Sequence, residues 1–71
     1  MNKQKALEVA SEVMEYFGSA EVVKDKISWQ VKVNRNYFYD EEIQALEATV
    51  KKHGLGYVIE GSVLTLWEKG E

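Results

Sequence analysis

Apolar residues at Ala6, Leu7, Val9, Ala10, Val13, Met14, Tyr16 and Phe17 recur at intervals of three and four, which predicts a helix from about Asn2 to Phe17. Gly18 follows directly, and a glycine just past the last periodic residue can take the left-handed conformation that ends a helix without a Cβ penalty. The period then shortens to two. Ile27, Trp29, Val31 and Val33 alternate with Ser28, Gln30, Lys32 and Asn34, the pattern of a strand with one apolar and one wet face. Val22 and Val23 precede Asp25 and Lys26, so a short strand, a tight turn and the longer strand make a first hairpin.

Asn34 to Tyr39 forms a connector that carries the aromatic run Tyr37, Phe38 and Tyr39. Asp40 then stands at the N-cap position of a second helix, with Glu41 and Glu42 at its positive end and Lys51, Lys52 and His53 at its negative end before Gly54. Its apolar stripe is Ile43, Leu46 and Val50 with Ala45 and Ala48 beside it, narrower than that of the first helix. Leu55 to Ile59, a turn at Glu60-Gly61 or Gly61-Ser62, and Val63 to Trp67 predict a second hairpin. Under either turn Leu55, Tyr57 and Ile59 share a face with Leu64 and Leu66, while Val58, Val63, Thr65 and Trp67 occupy the opposite one.

The order helix, hairpin, helix, hairpin predicts an α+β fold over residues 1–71 as a single domain, two helices packed on an antiparallel sheet of about four strands in the order αββαββ. The halves align at an offset of 36 residues, where Leu7, Ala10, Met14 and Gly18 meet Ile43, Leu46, Val50 and Gly54. A duplicated αββ unit would produce this; so would the coarse likeness of any two helix-glycine-hairpin units.

Composition narrows the chemistry. The chain has 71 residues and no cysteine, so no disulfide or thiolate metal site can form, and this usage is expected of a reducing cytoplasm. Early basic residues are interrupted by Glu8, Glu12 and Glu15, unlike a secretory leader, and no segment reaches the roughly 20 apolar residues of a membrane span. The single histidine, His53, is explained by its place in the last turn of a helix, and a metal would need further ligands at suitable spacing. Paired carboxylates such as Asp40, Glu41 and Glu42 fall on solvated helix faces rather than in a desolvating pocket. Gly54, Gly56 and Gly61 punctuate a hairpin and do not form a phosphate-binding loop. These observations predict no enzyme activity, catalytic residue, cofactor, metal or small-molecule substrate.

Three kinds of binding remain. Glu8, Glu12 and Glu15 place like charges on one helical stripe, which suits an acidic helix that binds and inhibits a basic, DNA-binding partner. Lys24, Lys26, Lys32 and Arg35 with the loop aromatics suit a nucleic-acid accessory domain, although the net charge of −3 opposes it. The strongest feature is the second hairpin, apolar on both faces. Two helices on one side of the sheet would leave Val58, Val63, Thr65 and Trp67 uncovered on the other. A protein partner, a second copy of the chain or one helix on each face of the sheet would cover them, with Tyr37, Phe38 and Tyr39 as further contact candidates. The leading expectation is therefore a protein-interaction module, bound to another protein or to a second copy of itself, that binds through a face or edge of the C-terminal hairpin.

Overall fold

The computed structural model describes residues 1–70 and contains two helices and four strands in the predicted order: α1 (Lys3–Phe17), β1 (Glu21–Asp25), β2 (Ser28–Asn34), α2 (Asp40–His53), β3 (Leu55–Glu60) and β4 (Val63–Glu68). All strand pairs are antiparallel and the sheet order is β1-β2-β4-β3.

Both helices lie on one face. Ala6, Val9, Ala10, Val13 and Phe17 of α1 and Leu46 of α2 are buried with Val31 and Val33 of β2, Leu64 and Leu66 of β4, and Leu55 of β3. The pairings Val31 with Leu66, Val33 with Leu64, Tyr57 with Leu66 and Ile59 with Leu64 put all these strand residues on the helix side. Val23, Lys32, Val58, Val63, Thr65 and Trp67 therefore occupy the face without helices.

The helix ends follow the expected physics with one correction. Gly18 (φ 85°) and Gly54 (φ 67°) both take the left-handed C-terminal conformation, and their N–H groups donate to Met14 and Val50. Asn2 caps α1 through its side chain, which accepts from Lys5 N–H at 2.8 Å. At α2 the capping residue is Tyr39, not Asp40: the Glu42 carboxylate reaches back to accept from Tyr39 N–H at 2.9 Å, and Asp40 becomes the first helical residue.

Three side-chain placements depart from the periodic reading. Leu7 and Met14 are about half exposed, because the side of α1 that carries them turns away from both sheet and α2. Ile27 is 97% exposed. The first hairpin turns at Lys26-Ile27, which removes Ile27 from the strand before its side-chain alternation can apply. In α2 Ala48 is exposed, while Thr49 is buried and its hydroxyl accepts from Tyr16 Oη at 3.1 Å across the helix pair.

The sheet order reads the same when the two αββ halves are exchanged, since β1 and β3 are both edges and β2 and β4 both central. Val31 and Leu66, the fourth residue of each central strand, are directly paired at the β2–β4 seam.

Candidate functional site

The helix-free face is organised around Trp67 and Gly56, which are cross-strand partners. A Cβ built on Gly56 would lie 2.8 Å from Trp67 Cζ2 and 2.9 Å from Cε2. The indole therefore occupies the space that any other residue's side chain would need, reaching from the central strand β4 across the edge strand β3 and burying Gly56 beneath it. Thr65 and Val58 pair one step further along, then Val63 with Glu60, so Val58, Val63, Thr65 and Trp67 form one neighbourhood. Val58 is 39% exposed and the other three are half-buried.

Two shallow depressions indent this face. The larger, about 480 Å³, lies where Trp67 and Glu68 meet Asp25, Ile27, Ser28 and Gln30 near the first hairpin turn. The other, about 300 Å³, is bounded by Ser19, Ala20, Glu21, Lys32, Asn34 and Val63 at the opposite end. Both open widely to solvent along a sheet surface.

The aromatic run is divided by the fold. Phe38 packs edge-on against Phe17, ring centroids 5.6 Å apart, and anchors the connector to the core. Tyr37 and Tyr39 contact each other at 4.9 Å and are 64% and 54% exposed. Sequence spacing alone did not separate these roles.

The four basic candidates are not brought together. Lys24 lies on the helix side of β1 with its ammonium 6.0 Å from the Trp29 ring, which also has Lys3 at 5.4 Å. Lys26 is in the hairpin turn, and Lys32 faces the helix-free side of the sheet. Arg35 is engaged by Glu42 at 2.6 Å, and its guanidinium carbon lies 5.6 Å from the Phe17 ring and 5.9 Å from those of Phe38 and Tyr39. Burial opposes ionisation of Glu42, but the Tyr39 N–H and the Arg35 guanidinium outweigh it and hold the carboxyl below the usual range.

The acidic stripe on α1 is partly answered by α2. Glu12 accepts from Lys52 Nζ at 2.7 Å and from His53 Nε2 at 2.9 Å. The bond from Lys52 is the main reason that the Glu12 carboxyl sits below its ordinary pKa, and the same bond raises Lys52. His53 thus joins the two helices, a role that its position at a helix end did not reveal. Among the described residues, no group of three His, Cys, Asp or Glu side chains could hold a metal ion, and no helix is long and apolar enough to cross a membrane.

Comparison with protein-family models, curated proteins and solved structures finds no significant match to this chain.

Proposed function

We propose that this chain is a non-catalytic protein-interaction module of the cytoplasm that binds through the helix-free side of its C-terminal hairpin. The observation that carries this reading is the Trp67 indole laid over Gly56, with Val58, Val63 and Thr65 beside it. A tryptophan on an open sheet face offers a large rigid apolar contact at low entropic cost, the side-chain type most often found to dominate binding energy. The scatter of Lys24, Lys26, Lys32 and Arg35 and the engagement of Arg35 by Glu42 weigh against a phosphate-tracking surface.

The test compares wild type with Trp67→Ala and Val58→Lys in affinity capture and light-scattering chromatography, with circular dichroism to verify folding. Loss of bound protein or of self-association in both folded variants supports the reading. Retention of every captured protein by both variants, together with a monomeric wild type, removes it.

A further inference from the structure

The two edges of the sheet are unlike. β1 reads Glu-Val-Val-Lys-Asp, with charge at three of its five positions. β3 reads Leu-Gly-Tyr-Val-Ile-Glu, with one charge at its very end, no proline and no bulge in its pairing with β4. Charges and prolines are the usual means by which an edge strand is kept from pairing with another chain, and β3 lacks them along its central length.

Its hydrogen-bonding direction follows from one contact. Lys69 N–H donates to Gly54 C=O at 3.1 Å, in the register that pairs Leu55 with Glu68. In the alternation of an antiparallel ladder, Gly56 and Val58 then turn their backbone groups towards β4, while Leu55, Tyr57 and Ile59 turn theirs outward. Val58 and Ile59, at 39% and 38% exposure, leave the strand apolar on both sides at this edge. Thr49 and Lys52 of α2 face α1, so Ile43 and Val50 lie on the flank of α2 over β3 and continue the apolar margin, with exposed Glu47 and Lys51 at its rim.

Resting on the reading of this hairpin as a binding surface, we infer that the partner is a second copy of the chain, joined by antiparallel pairing of β3 with β3 about a two-fold axis at Tyr57. This register uses every outward backbone group: Tyr57 bonds its counterpart, and Leu55 bonds Ile59 of the second copy on each side of the axis. It also sets Gly56 opposite the second copy's Val58. The Trp67 indole already reaches over Gly56 to the edge strand, so each copy's valine packs against the other copy's tryptophan. No like charges meet along the strand, because Glu60 falls opposite Gly54. A surface that fits itself twice about one axis is the requirement of an isologous dimer, and the product is a continuous eight-stranded sheet.

Sedimentation equilibrium on the full chain, from micromolar to millimolar concentration, tests this beside hydrogen exchange of assigned amides. The expected result is a monomer-dimer equilibrium in which the Tyr57 and Ile59 amides gain protection as dimer forms. Ile59→Lys and, separately, Val58→Lys should weaken association by about tenfold or more, whereas Val23→Lys, near the opposite edge, leaves it unchanged. A strict monomer at millimolar concentration, or a dimer indifferent to both β3 variants in folded form, overturns the inference. If the chain is monomeric yet Trp67→Ala abolishes capture of another protein, the interaction-module reading stands and only self-pairing fails.

Discussion

The indole of Trp67 sits where the side chain of residue 56 would be, so Gly56 and Trp67 together fill one side chain's space on the open sheet face. Gly56→Ala forces its methyl to within 2.8 Å of the ring and should destabilise the domain by about 1–3 kcal/mol, the usual range for overpacking. Trp67→Val in the same chain should recover part of that loss, and urea denaturation of the four members of the double-mutant cycle measures the coupling. Additive effects would mean that the ring moves aside freely.

Lys26 holds φ at 57° in the first hairpin turn, a left-handed backbone that costs a residue with a Cβ about 1–2 kcal/mol. Glycine removes that strain but orders a freer unfolded chain, so Lys26→Gly should stabilise by a net of about 0.5–1 kcal/mol. Thermal melts of the two proteins decide the sign.

Leu66 is fully buried beside the Val31 pairing at the centre of the sheet, whereas Leu7 is 51% exposed. Leu66→Ala should cost about 2–5 kcal/mol, a large part of the roughly 4–11 kcal/mol expected of a domain this small. Leu7→Ala should cost under about 1 kcal/mol, since surface positions away from packed features tolerate change. Comparable losses for the two would contradict the placement of α1.

Acid should loosen the fold through its ion pairs. Glu12, Glu42 and Glu68 all have lowered pKa values; the bond from Lys52 is the first cause at Glu12, the Tyr39 N–H and Arg35 overcome burial at Glu42, and Lys5 holds Glu68 down. Each contributes stability that is present above its unfolded pKa of about 4.3 and is lost as pH falls through the folded value. The melting temperature should therefore fall progressively below about pH 5. Glu12→Gln and Glu68→Gln should flatten that acid limb. Lys52, whose pKa is raised by Glu12, acts at the other extreme: its contribution is complete below the unfolded lysine value and fades as pH rises through the folded one.

The hairpins and helices were legible because their residues obey local rules: Gly18 and Gly54 stop helices, and the alternation from Trp29 to Val33 and from Leu55 to Trp67 assigns faces correctly. That Val58, Val63, Thr65 and Trp67 share the face opposite Leu64 and Leu66 was readable for the same reason. What a periodic pattern does not contain is the width of the surface that covers it. Leu7 and Met14 fit the α1 stripe but lie beyond the reach of sheet and α2. Burial of Phe38 against Phe17, the hydrogen-bonded meeting of Glu12 with His53, and the strand order depend on partners distant in sequence. So does the position of Met1, buried at 2% exposure with its carbonyl accepting from Trp29 N–H and its amine donating to Ser28 Oγ. Nor does the absence of a side chain at Gly56 announce that a tryptophan takes its place.

The exchangeable halves of the sheet carry a practical meaning. Each αββ piece keeps its own hairpin intact and contributes one central strand to the β2–β4 seam, so a nick in the connector between Asn34 and Tyr39 severs no strand and no helix. Two separately produced fragments should find one another and reconstitute the domain, which makes this chain a natural candidate for a split reporter.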